Sequence, residues 1–320
     1  MNRPTFEDVA AARPLVNRHL PKTPLIRVAA LSQLLGCDYH AKCENCQPVG
    51  AFKVRGGINL VGTLSADERR AGVISASTGN HGQSVAFAGR FFGVRVIIYA
   101  PAENVNPLKL QAMRDLGAEV RLHGRNFDEA REEVERVAAR DGLRYIHSAN
   151  EPKLIAGVGT MALEIFEDLP DPDVIIVPVG AGSGACGNGI VAKKLRPQTR
   201  VIGVQSERAP AVWHAWKERH LNPWPTMETV HEGLGTRVPF ELTTAILRDV
   251  LDDFILVSDE EINEAIRLLA RHAKQVAEGA GAAPLAAAMK LRDQLSGKKV
   301  VGILSGGNIP LDRYAAVLAG

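Results

Sequence analysis

Lys53 stands in CENCQPVGAFKVRGG, residues 43–57, with Gly50 three residues before it and Gly56 and Gly57 just after. Glycines let the backbone turn tightly and approach a ligand. Desolvation of a lysine in such a turn lowers its pKa, and the neutral amine can form a Schiff base with a carbonyl compound. A surface lysine on a glycine-rich loop satisfies the same pattern, so the stretch alone does not choose. It also holds Cys43 and Cys46, which with Cys37 and His40 fall at every third residue, the look of a zinc ladder. Residues 38–44, DYHAKCE, read as a strand, however. Residues three apart on a strand are roughly 10 Å distant and on opposite faces, whereas ligands of a tetrahedral metal converge. A thioredoxin-like pair would open a helix, and QPVG follows instead. The cysteines are expected to be small, partly buried neighbours of the turn, with no metal bound.

Three more loops have chemical potential, each after an apolar run. SASTGNHGQ, residues 75–83, opens a helix near Gly79, where the hydroxyls of Ser77 and Thr78 and the unpaired amides of a helix start can receive a carboxylate. GAGSGACG, residues 180–187, supplies small residues whose amides can surround a phosphate. SGGN, residues 305–308, leaves the Ser305 hydroxyl at a sheet edge, where open α/β proteins bind ligands. A lysine, an anion loop, a phosphate loop and a terminal serine are together what a pyridoxal phosphate site requires.

Such loops need strands to hold them. GVISAS, VRVIIYA, EVRLHG, RYIHS, DVIIVPVG, RVIGVQS, DFILVS and KVVGILS read as strands, most too uniformly apolar to face water on one side. HGQSVAFAGRFFG, NPLKLQAMRDLG, FDEAREEVERVAARDG and DEEINEAIRLLARHAKQ read as the helices between them, the last opened by a Ser258–Glu261 capping box. This alternation predicts an α/β fold whose mostly parallel sheet is covered on both faces. The four-strand block from about Ala71 to Asn150 is the candidate for an inserted second lobe. A chain of 320 residues can bury a large core, and a net charge of +2 gives nucleic acid or membrane no field to bind. No signal peptide or membrane-spanning run is visible, and the cysteines form no disulfide framework, so a cytoplasmic protein with a small-molecule partner is expected.

The motifs match in type, order and spacing those of the fold-type II pyridoxal phosphate enzymes. From TPLIRVAALS through KCENCQPVGAFKVRGG, SASTGNHGQSVA, NEPKLIAGVGTMALEI and VPVGAGSGACG to EGAGA and ILSGGN, the sequence resembles the serine/threonine dehydratase and serine racemase group. The resemblance implies a tryptophan synthase β-like architecture: two open, mostly parallel sheets covered by helices. A small lobe, residues 71–150, would be inserted in a large cofactor-binding lobe made of residues 1–70 and 151–320. It implies pyridoxal 5'-phosphate on Lys53, with Lys53 as base at the substrate α-carbon and Phe52 against the ring. It implies Asn80 at the ring hydroxyl, and Ser77, Thr78, Gly79, Asn80 and His81 around the substrate carboxylate, with Ser77 and Thr78 among the catalytic groups. Gly180, Ala181, Gly182, Ser183 and Gly184 would hold the phosphate, Ser305 would face the pyridine nitrogen, and Glu278 would lie near the ring. A homodimer is implied as well.

A neutral serine at the pyridine nitrogen weakens the ring as an electron sink and favours prompt loss of a β-substituent. The expected reaction is elimination of water from a 3-hydroxy amino acid, giving a 2-oxo acid and ammonia, with threonine, serine, 3-hydroxyaspartate and phenylserine all open as substrates. Ala181 and Ser183, followed by Gly184, Ala185 and Cys186, depart from a nearly all-glycine phosphate loop and suggest extra room. Gln205 and Ala211 stand where metal-activated members place acids, so no metal activation through that site is expected. Thr78 replaces the second serine on which racemases rely, which favours elimination over racemisation. The chain ends soon after SGGN, so no C-terminal regulatory domain is expected. The rivals are a dehydrogenase, whose fingerprint GSGACG fits but whose ribose-binding acid is Gln205 here, and a catalytically silent cofactor- or amino-acid-binding protein. Trp213, Trp216 and Trp224 with His214 and His220 are expected to pack on the large lobe or a subunit contact, and His123, His147, His231 and His272 to be structural.

Overall fold

The central apolar runs, residues 73–76, 96–100, 174–178, 200–206 and 299–304, are strands with little exposure on either face, while 119–122 at a sheet edge is partly exposed, and shorter strands join them. In the computed structural model, which describes residues 2–103 and 107–320, the strands are β1 (Leu25–Arg27), β2 (Asp38–Cys43), β3 (Val73–Ala76), β4 (Val96–Ala100), β5 (Glu119–Leu122), β6 (Arg144–Tyr145), β7 (Val174–Pro178), β8 (Arg200–Ser206), β9 (Asp253–Val257) and β10 (Lys299–Leu304). Two sheets result, one in the order β1-β2-β10-β7-β8-β9 and one in the order β5-β4-β3-β6. Every pairing is parallel except β1 with β2. Parallel neighbours need crossover helices, which gives the expected α/β architecture of two open, mostly parallel sheets. The helix Asp259–Leu268 starts with the foreseen box, Ser258 accepting from the Glu261 amide. The start of another expected helix, at Asn106, lies outside the described residues, and its body runs Pro107–Asp115.

The sequence reading passed over β1. Three residues are too few to display a period, and its antiparallel register on β2, Leu25 opposite Lys42, is set by a partner and not by its own pattern. The tryptophan segment packs on the six-stranded sheet: the Trp213 indole donates to the Phe254 carbonyl at 2.9 Å, Trp216 meets the Phe254 ring, and His214 stacks on Trp224.

Lys53 opens a buried helix, Lys53–Gly62. That helix lies against the helices Asn80–Phe92 and Pro152–Asp168, and glycines permit the approach. A Cβ on Gly57 would stand 2.4 Å from Ser84 Oγ, and one on Gly157 would stand 2.6 Å from the Arg55 carbonyl oxygen. The same helix is tied down by ions. Arg55, fully buried, donates to Glu44 at 2.8 Å and to Glu164 at 2.7 Å, and the buried Lys42 ammonium reaches Glu164 at 2.6 Å. Thr23 Oγ1 donates to Glu44 at 2.6 Å. Burial alone would disfavour the charged forms, but the pairing holds Arg55 protonated and Glu164 below the usual carboxylate range.

Candidate active site

β2, β3, β7 and β10 each lead at their carboxyl ends into one of the four loops. Gly50, at φ +68°, turns the chain into the lysine helix. The turn is pinned to the loop after β10: the Phe52 amide donates to the Ser305 carbonyl at 3.0 Å, and the Gly307 amide to the Gly50 carbonyl at 2.9 Å. Lys53 therefore sits at the first position of a helix and not in an open turn, with its side chain directed into a cavity of about 170 Å³. Phe52, Ser77, Thr78, Gly79, Asn80, His81, Gly180, Ala181, Gly182, Ser183, Gly184, Glu278 and Ser305 line that cavity too. Every candidate site residue named from the sequence is thus brought to one place.

The Lys53 amine lies 3.3 Å from Ser183 Oγ, at the start of the helix Ser183–Leu195. Burial pushes its pKa down to about 8, against a smaller opposing pull from Glu278. Gly182, at φ +100°, gives the loop after β7 its turn, and the Phe52 ring packs against Gly184, where a Cβ would come within 3.2 Å. Asn80 Nδ2 donates to Glu278 at 2.6 Å, while Asn80 Oδ1 accepts from Asn308 at 2.8 Å. Burial raises the Glu278 carboxyl above its usual range. Ser77 Oγ accepts from the amides of Gly82, at 2.8 Å, and Gly79, at 3.2 Å. His81 is buried beside Ser75 Oγ at 3.0 Å, and its pKa is pushed down to about 3 by burial and by Lys53, so it is neutral.

Several expectations are refined. Ala185 and Cys186 are fully buried inside their helix, the thiol donating to the Thr243 carbonyl, so they lend no room to the cavity. Gln205 Oε1 accepts from the Trp213 amide at 3.0 Å. Among the described residues no group of three or more His, Cys, Asp or Glu side chains is placed to hold a metal ion. Cys37 and Cys43 are buried, with pKa pushed up to about 11 and about 12, and Cys46 is exposed. His147 accepts from the amides of Ala149 and Asn150, a structural turn.

The sequence reading missed Asn308, Lys109, Glu232 and Ser84. Asn308 was visible in SGGN, but nothing in its spacing aims it at Asn80. Ser84 Oγ donates to the Lys53 carbonyl at 2.6 Å, tying two helices together at the site. Lys109 and Glu232 pair at 2.6 Å and line both this cavity and an adjoining one of about 550 Å³. Neither had a motif to mark it.

The donor set fits pyridoxal phosphate: a desolvated amine, a helix N-terminus built of small residues for the phosphate, and an aromatic ring beside the amine. Fold and site together define a fold-type II pyridoxal phosphate enzyme. Residues 16–306 match the family described as "Pyridoxal-phosphate dependent enzyme", and the chain belongs to that family. It is 39% identical over 315 residues to the L-threonine ammonia-lyase of Thermotoga maritima, covering 98% of this chain and 78% of that one. Its structure resembles the processed form of threonine deaminase isoform 2 from Solanum lycopersicum, with a TM-score of 0.91 and 31% identity over 100% of this chain and 96% of that one. It also resembles maize serine racemase, with a TM-score of 0.93 and 27% identity over 99% of each chain. Within the pyridoxal phosphate enzymes the chain belongs with the threonine ammonia-lyases and is a lyase.

Proposed function

We propose that L-threonine and other small 3-hydroxy amino acids are the substrates, and that the chain removes water across their α and β carbons. The carrying observation is the buried Lys53 amine, with a pKa near 8, set 3.3 Å from the first residue of the phosphate-loop helix. Bound pyridoxal phosphate supplies the electron sink that acidifies the α-hydrogen of an amino acid. Lys53 takes that proton, and a base with its pKa near the working pH suits the task. Phe52 would lie against the ring, Asn80 and Ser305 would meet its hydroxyl and nitrogen with Glu278 behind Asn80, and Gly180, Ala181, Gly182, Ser183 and Gly184 would hold the phosphate. Ser77, Thr78, Gly79, Asn80 and His81 surround the substrate carboxylate. Ser77 also shapes that loop by accepting the Gly79 and Gly82 amides. Loss of the α-proton and of β-hydroxide gives an enamine, which hydrolyses in water to a 2-oxo acid and ammonia.

The similarity to an L-threonine ammonia-lyase over 98% of the chain supports threonine. A panel of threonine, serine, 3-hydroxyaspartate and phenylserine, assayed for 2-oxo acid and ammonia, tests the choice. Threonine is expected to give the highest kcat/KM, and Lys53→Ala to lower it by at least about a hundredfold. Undiminished turnover by that variant, or racemisation faster than ammonia release, would overturn the reading. In this reading residues 71–150 form the small lobe, residues 1–70 and 151–320 the large one, and the enzyme works as a cytoplasmic homodimer. Sedimentation of the holoenzyme tests the dimer. Among the described residues no helix is long and apolar enough to cross a membrane.

A further inference from the structure

The carboxylate loop has no charge of its own. Ser77 Oγ already accepts from the amides of Gly79 and Gly82, the Gln83 amide donates to the Gly79 carbonyl, and the Asn80 side chain is engaged by Glu278 and Asn308. His81 is buried and, with its pKa near 3, neutral. Against an anionic substrate the cavity also presents two acids, Glu232 and Glu278. An unscreened carboxylate in such a place is expensive to desolvate.

One cation besides Lys53 lines the cavity among the described residues, and it comes from another element. Lys109, on the helix Pro107–Asp115, extends across the loop until a Cβ placed on Gly79 would lie 4.0 Å from its Nζ and 3.9 Å from its Cδ. Its side chain is 13% exposed. Among the described residues its ammonium makes one hydrogen bond, to Glu232 at 2.6 Å. An ammonium has three donors, so two remain for a ligand. Glu232 itself is 58% exposed, so water screens much of its charge while it tethers the lysine from the far wall.

We propose that Lys109 binds the α-carboxylate of the substrate, supplying the cation that the loop Ser77–His81 lacks. The inference rests on the reading that an amino acid occupies this cavity. Glu232 holds the ammonium in place, and the substrate carboxylate takes a free donor. The contact exists before and during the reaction, so it lowers KM with little effect on kcat.

The test titrates holoenzyme with L-threonine and with L-threoninamide, following the visible absorption of the cofactor, in the wild type, Lys109→Met and Lys109→Arg. Lys109→Met is expected to weaken L-threonine by at least about tenfold, the worth of a hydrogen bond to a charged group. It should leave L-threoninamide unchanged, and Lys109→Arg should recover part of the loss. Equal weakening of both ligands would assign Lys109 to structure or gating and overturn the proposal, as would unchanged binding of L-threonine. Should the wild type bind L-threonine in this titration but release no ammonia, the elimination reading fails while the carboxylate contact stands.

Discussion

The lowered pKa of Lys53 comes from its burial, and the pH dependence expected of it follows from sign. An amine whose pKa falls from 10.5 to about 8 is mostly ammonium below that value and mostly free base above it. Only the free base attacks a carbonyl. Uptake of pyridoxal phosphate by apo-protein should therefore rise with pH through about 8 and then level off, measured as the rate at which the visible absorption appears. Glu278 opposes the burial effect by favouring the ammonium. Glu278→Gln removes that charge and keeps an oxygen for Asn80, so the midpoint should move to lower pH. No movement would show that Glu278, raised by its own burial, is already protonated there. Lys53 could be singled out from its glycines and its companion loops; its pKa could not, because the groups that desolvate it come from remote parts of the chain.

At the scale of elements, Lys53 is only as well placed as the helix it opens. Close packing at Gly57 and Gly157 fixes that helix against its two neighbours, and the ion box of Lys42, Glu44, Arg55 and Glu164 ties it down as well. Breaking one partner of a buried pair leaves the others charged in a dry site, at a cost of about 3–5 kcal/mol. Glu164→Gln should lower stability at neutral pH by that order in urea unfolding. Because pairing depresses the Glu164 pKa, its contribution is complete above the unfolded value and fades as pH falls through the folded one. The variant should accordingly lose less stability than the wild type on acidification below about pH 4. Equal acid sensitivity would count against the box. In the sequence, Lys42 and Glu44 were only the neighbours of cysteines.

At the scale of the molecule, the site lies where the loops after β2, β7 and β10 of one sheet meet the loop after β3 of the other. Asn80 with Glu278 and Asn308, and Lys109 with Glu232, cross that junction. A cofactor bound there stabilises the native state by mass action, about 2.7 kcal/mol at a hundredfold excess over Kd. Removing it should lower Tm by roughly 5 °C, as calorimetry of holo and apo protein would show. An unchanged Tm would mean the bound cofactor does not engage the folded junction. The periodicity of apolar residues determined the parallel α/β architecture, since only strands covered on both faces can be so uniformly apolar. The glycine and hydroxyl motifs determined the cofactor chemistry, since they specify backbone geometry and donors locally. Tertiary structure alone decided what crosses between distant segments: the edge strand β1, the ion box, the Asn308–Asn80 contact and the arrival of Lys109 at Gly79. Each depends on the direction of a single side chain or a three-residue pairing, and neither leaves a period or a spacing in the sequence from which it could be read.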